Sequence, residues 1–246
     1  MSEASEEYAT PPRPLFVDRV HRVPRLWSNA ELARVGGLFE GDVVNVSAWR
    51  DQDKAGKSYR DYFPRARSYT LTNFRADMRG FQGADGEIFL DLEQPLPEAL
   101  RARFDVVFNH TTLEHIYDFR TAFENMAAMT RDVLIVVAPW LQPFHSQYGD
   151  YWRFSPLAMS RLMIDAGLTP ARITWNSDKL ASVYVFAVGV RQPEKWRGMF
   201  EFDCLPDAER LLHPGKHFAG REALVVPWMD AARGLARRTG LLRSEK

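Results

Sequence analysis

The sequence predicts an α/β protein built on a mostly parallel seven-stranded sheet, with helices on both faces and an antiparallel hairpin at one edge. Three observations carry this. Short β-branched and aromatic runs alternate with helical patterns, as in sheets covered on both sides. The run Val133–Val137 has no polar residue and reads as a strand buried on both faces. Two late runs, Ala171–Trp175 and Val183–Val190, lie close enough to be antiparallel neighbours.

Taken in order, residues 1–15 are acidic and polar, then proline-rich, and are expected to form a flexible tail. The spacing Ser28-Asn29-Ala30-Glu31 is that of a capping box, which predicts a helix from there to about Phe39. Val43–Val46 is a first strand, Tyr69–Asn73 a second and Glu87–Leu92 a third. Phe104–Phe108 is a fourth and Val133–Val137 a fifth. Between these two, Phe119, Phe123, Met126 and Met129 recur at three- and four-residue spacing and share one helix face. Ser155-Pro156 opens another helix, serine as cap and proline at the first helical position, and Gly167 closes it. The α/β domain is expected over residues 16–191. A C-terminal extension, 192–246, is interrupted by prolines and is expected to pack on the same domain, ending in a helix from about Met229 to Arg238.

Composition narrows the function. Of 246 residues, 32 are Lys or Arg and 32 are Asp or Glu, so the net charge is zero, against the basic excess of a nucleic-acid binder. The single cysteine, Cys204, excludes an internal disulfide framework and a cysteine-rich zinc site. The acidic N-terminus does not read as a secretory signal, and no apolar run reaches the roughly 18–20 residues of a membrane span. A cytoplasmic protein is expected. His213 and His217 stand four apart, but Pro214-Gly215 breaks the helix such a metal pair would need, so no metal site is read from the sequence.

In an open α/β sheet, ligands bind beyond the carboxyl ends of the strands, so the segments after Val46, Leu71, Leu90 and Phe108 should converge. The run Phe104-Asp105-Val106-Val107-Phe108-Asn109-His110, with Leu113-Glu114-His115, resembles the fourth-strand motif of class I S-adenosylmethionine-dependent methyltransferases. Asp91-Leu92-Glu93-Gln94-Pro95-Leu96-Pro97 resembles that family's acidic third-strand end. Asp150-Tyr151-Trp152-Arg153-Phe154-Ser155-Pro156 resembles a block of its glycan-biosynthesis branch. The similarity spans about residues 41–190. It implies a Rossmann-like fold, S-adenosylmethionine as cofactor with S-adenosylhomocysteine as product, and O-methylation of a sugar or other small hydroxylated acceptor. It also implies cofactor contacts from Asn45, Ser47, Ala48, Asn73, Asp91, Leu92, Asn109 and His110. The sequence departs from the family after the first strand. Asn45-Val46-Ser47-Ala48-Trp49-Arg50 holds none of the usual glycines, and Asn73 stands where an acid normally receives the ribose.

The acceptor side is read from two loops. Lys54, Lys57 and Arg60, in the basic connection from Trp49 to Arg67, are candidates to hold the cofactor's carboxylate or an anionic acceptor, or else part of a solvated loop. After the fifth strand, His145 is the first candidate for a base and Asp150 the second, with Tyr148, Tyr151 and Arg153 as substrate contacts. The alternative there is that Tyr151, Trp152 and Phe154 anchor the loop to the core while Asp150 and Arg153 form a structural ion pair. His110 is expected to serve as a wall or binding residue, and Glu114-His115 to be structural. Three functions stay open on the sequence: a methyltransferase, a non-catalytic protein of the same fold, or an α/β enzyme binding another nucleotide or anion.

Overall fold

A computed structural model describes residues 18–75, 80–145, 149–176, 178, 181–200, 202, 232, 235 and 239. The tail 1–15, the final helix 229–238 and the pair His213 and His217 lie wholly or largely outside these. The strands are β1 (Gly41–Val46), β2 (Ala66–Asn73), β3 (Ile88–Phe89), β4 (Phe104–His110), β5 (Thr130–Leu141), β6 (Thr169–Trp175) and β7 (Val183–Val190). They form one sheet in the order β3-β2-β1-β4-β5-β7-β6. All neighbours are parallel except β7, which runs antiparallel to both β5 and β6. The chain winds outward from β1 to β3, then returns to the other side of β1 to begin β4. That reversal is the switch point at which such sheets open a crevice. The fold is Rossmann-like.

The packing follows from the two-residue period of a strand. Val44, Val46, Val107, Leu134 and Val136 face one side, against Phe123 and Met126 of α2 (Phe119–Met129) and Met159 and Met163 of α3 (Pro156–Asp165). Val43, Val106, Phe108, Ile135 and Val137 face the other, with Leu32 and Val35 of α1 (Arg22–Val35). The Ser155 hydroxyl accepts from the Ala158 N–H, and Gly167 takes φ +74°, as the start and stop signals of α3 require.

Two boundaries differ from expectation. α1 begins six residues before Ser28. The Asp18 carboxylate accepts from the Val20 and His21 N–H groups and organises the helix entry. Ser28 lies inside the helix and donates back to the Arg25 carbonyl at 3.0 Å, while Glu31 reaches across to Arg172 and Thr174. The serine-to-glutamate spacing thus served tertiary contacts rather than a cap. β3 is two residues long because the Asp91 carbonyl and carboxylate turn the chain, accepting from the Gln94 and Glu93 N–H groups. The start of the C-terminal extension packs on the domain. Trp196 is buried, stacks edge-on against Phe39 at 5.3 Å and donates its indole N–H to Asp132. Among the described residues, no helix is long and apolar enough to cross a membrane.

Candidate functional site

A cleft of about 530 Å³ opens at the carboxyl ends of β1 to β4. Its walls come from the four expected segments: Ser47–Trp49 after β1, Asn73–Arg75 after β2, Leu90–Glu93 after β3 and His110–Thr112 after β4. Arg25 from α1, Lys54 and Tyr59 from the basic connection, and His115, Tyr117 and Tyr151 complete it. The volume is in the range of small-molecule sites.

The loop after β1 resolves the missing glycines. Ser47, Trp49 and Asp51 adopt φ of 57°, 49° and 55°, the left-handed region that glycine enters freely and other residues enter at a cost of about 1–2 kcal/mol each. Side chains hold this conformation. Asn73, itself buried, clamps the Trp49 peptide on both sides: its Oδ1 accepts from the Trp49 N–H at 2.6 Å and its Nδ2 donates to the Trp49 carbonyl at 3.1 Å. The buried Asp51 carboxylate accepts from Asn45, Ser58, Tyr69 and the Arg60 N–H. Asp53, also buried, accepts from Asn29, Tyr62 and the N–H groups of Ala55 and Lys57. Asn73 therefore lines the cleft but spends its amide on the loop, and its Nδ2 also donates to Glu87 at 2.5 Å. Replacing Asn73 with the family's acid should test this. In Asn73→Asp two donated bonds are lost and a carboxylate faces Glu87. We expect a loss of about 1–3 kcal/mol in chemical denaturation and no gain in ligand affinity. Tighter S-adenosylmethionine binding at unchanged stability would contradict the clamp.

Of the other residues proposed for the cofactor, Asn45, Ser47, Ala48, Asp91, Leu92 and His110 line the cleft. Asn109 does not. It is fully buried and donates to the Val46 carbonyl at 2.9 Å, tying β4 to the end of β1. β4 runs two residues further than expected, so His110 is its last residue, and its ring lies between Ser28 (2.8 Å) and Thr111 (3.2 Å). Burial, aided by the Arg25 charge, holds its pKa well below the usual value, so it stays neutral as a wall residue.

The acceptor side needs more revision. Asp150 is not available as a base. Burial alone would raise its carboxyl, but the Arg153 guanidinium and the His145 N–H outweigh it and bring the pKa to about 2. Arg153 is committed in turn, donating to both Asp150 oxygens and to the carbonyls of Gln142, Pro143 and Trp152. The structural ion pair is the observed alternative. Trp152 anchors the loop half-buried, edge-on to Phe119 at 4.8 Å, with its indole N–H on the Tyr117 carbonyl. Lys57 and Arg60 are exposed and off the cleft, whereas Lys54, the third candidate of that connection, lines its wall. Tyr151 lines the cleft, and Tyr148 lies outside the described residues.

His145 also stands back from the cleft. Its ring meets that of His115 at 5.2 Å and that of His21 at 5.4 Å, each edge-on. It is His115 that lines the cleft, with Glu114 buried behind it. The Glu-His pair read as structural thus brings an imidazole to the site. The available signal was position: five residues past the end of β4, on the ligand side.

No protein-family model and no curated protein sequence matches this chain. Solved structures do resemble it. One, from Bacillus halodurans and assigned as a methyltransferase, has 10% identity over 66% of this chain and 97% of its own, at a TM-score of 0.49. The 1,6-didemethyltoxoflavin-N1-methyltransferase of Burkholderia thailandensis, with 1,6-didemethyltoxoflavin and S-adenosylhomocysteine bound, has 16% identity over 69% and 79%, at 0.48. The magnesium protoporphyrin IX methyltransferase of Synechocystis, with S-adenosylmethionine bound, has 15% identity over 74% and 86%, at 0.46. The two that are named for a substrate act on different molecules. At these scores the fold assignment rests on the strand order itself.

Proposed function

We propose that the protein is an S-adenosylmethionine-dependent methyltransferase that methylates a hydroxyl of a sugar or other small acceptor in the cytoplasm. The observation that carries this reading is the cleft at the β1–β4 switch point, whose loop after β1 keeps a glycine-like backbone without glycine. Ser47 and Ala48 would meet the cofactor's methionine end, with Asp91 and Leu92 at its adenine end and Lys54 or Arg25 near its carboxylate. When bound, S-adenosylmethionine would supply an electrophilic methyl group for an acceptor oxygen, with S-adenosylhomocysteine as the leaving group.

The chain's own task is to align the acceptor, exclude water and receive its proton. Tyr117 and Tyr151 stand edge-on at 5.4 Å and offer aromatic faces for a polyhydroxylated ring. His115 is the imidazole on the cleft wall. Its Nδ1 lies 2.5 Å from the Gly149 carbonyl, which only accepts, so Nδ1 carries the proton and Nε2 the lone pair. The acceptor's proton would go to Nε2.

The test is calorimetry with S-adenosylmethionine and S-adenosylhomocysteine. We expect saturable one-to-one binding of both. No heat and no thermal shift at millimolar ligand would remove the methyltransferase reading.

A further inference from the structure

Behind the cleft wall, Glu114, His115 and His145 bring a carboxylate oxygen and two ring nitrogens within 4.8 Å of one another; among the described residues no other such trio occurs. The arrangement is built on two elements. Glu114 and His115 sit on the short helix after β4, and His145 on the loop after β5. In the described part of that loop, Arg153 pairs with Asp150, and the Tyr151 and Trp152 N–H groups donate to the Glu114 carbonyl.

Three details suit a metal ion. The Glu114 side chain is 1% exposed and its Oε2 has no hydrogen-bond partner, an arrangement native proteins avoid. Both imidazoles face backbone carbonyls through Nδ1, His115 at Gly149 (2.5 Å) and His145 at Pro143 (3.3 Å). A carbonyl only accepts, so each ring is set with its lone pair on Nε2, as the outer contacts of metal-bound histidines usually set it. Finally, His115 Nε2 lies 3.7 Å from Glu114 Oε1. That is too far for a hydrogen bond, and close to the span of two ligands each about 2.0–2.2 Å from one ion.

We propose that Glu114, His115 and His145 form a binding site for a divalent transition-metal ion of the zinc type. Two neutral imidazoles and one carboxylate are a familiar zinc set, leaving a position for water or a substrate oxygen. His21, though close, is not one of the three ligands; its Nδ1 lies 3.2 Å from the Gln142 amide nitrogen. Because His115 also lines the cleft, the ion would sit at its wall and lower the pKa of an oxygen bound there. Metal occupancy would then govern how the acceptor loses its proton, to the imidazole when the site is empty and by polarisation of the oxygen when it is filled. The binding claim itself does not rest on methyl transfer, since its test uses neither cofactor nor acceptor.

The probe is zinc chloride with the full-length protein, read by calorimetry and by metal analysis after dialysis. We expect one ion per chain. His115→Ala, His145→Ala and Glu114→Gln should each weaken binding at least tenfold, and His21→Gln should leave it within threefold. Sub-stoichiometric binding, or affinity unmoved by all three substitutions, overturns the proposal. Should a variant fail to fold, zinc-soaked crystals of the unaltered protein decide the matter. An anomalous scattering peak among the three side chains supports the site; its absence, or a peak elsewhere alone, overturns it.

Discussion

Replacing His115 with alanine is expected to lower methyl-transfer turnover by about 10²–10⁴-fold, the usual worth of a group that handles the reacting proton. Affinity for S-adenosylhomocysteine should stay within a few-fold, because the proposed function gives His115 to the acceptor and not to the cofactor. The measurement is turnover of an acceptor found by screening hydroxylated compounds with labelled methyl donor, alongside calorimetry of the variant. Full activity in His115→Ala would exclude the base role. A fall in cofactor affinity equal to the fall in turnover would mean that the substitution disturbed the whole cleft.

Truncating Phe108 to alanine is expected to cost about 3–5 kcal/mol, which for a chain of this length lowers the melting temperature by about 6–20 °C. Phe108 is fully buried, and its ring meets Tyr59 at 5.3 Å, Phe63 at 5.8 Å and His110 at 6.2 Å. It therefore joins the sheet to the connection that carries Tyr59 and Lys54 to the cleft. Thermal unfolding followed by circular dichroism checks the magnitude, and Phe108→Leu should recover most of the loss. A shift below about 3 °C would mean that the neighbouring rings close the cavity.

The sheet was readable because its signals are local. Val133–Val137 had to be buried on both faces, and the two late runs had to pair; the structure places them in β5 and in the antiparallel hairpin β6–β7. The convergence of four strand ends followed from the alternation of elements alone. What the sequence did not disclose depends on tertiary partners. Ser28 and Glu31 keep a cap's spacing while bonding Arg25, His110 and Arg172. Asp150 looks like a candidate base until Arg153 is seen to hold both its oxygens. His115 was passed over because nothing in Leu113-Glu114-His115 says which way the ring turns. The left-handed backbone at Ser47, Trp49 and Asp51 is least visible of all, since none of these residue types asks for it and only their partners impose it.

That loop also bears on how such a protein can change over time. Where glycine makes a turn, one codon carries the shape and one substitution destroys it. Here the shape is spread over Asn45, Asp51, Ser58, Tyr69 and Asn73, which are scattered along 29 positions of chain and joined by hydrogen bonds. No member is sufficient alone, and the loss of one is open to repair by a change at another. Drift at these sites should therefore be correlated rather than independent, so that lineages wander together through combinations a glycine signature never scores. A scan for the turn by its residues would pass over such a chain, whereas a scan for paired changes among these five positions would find it.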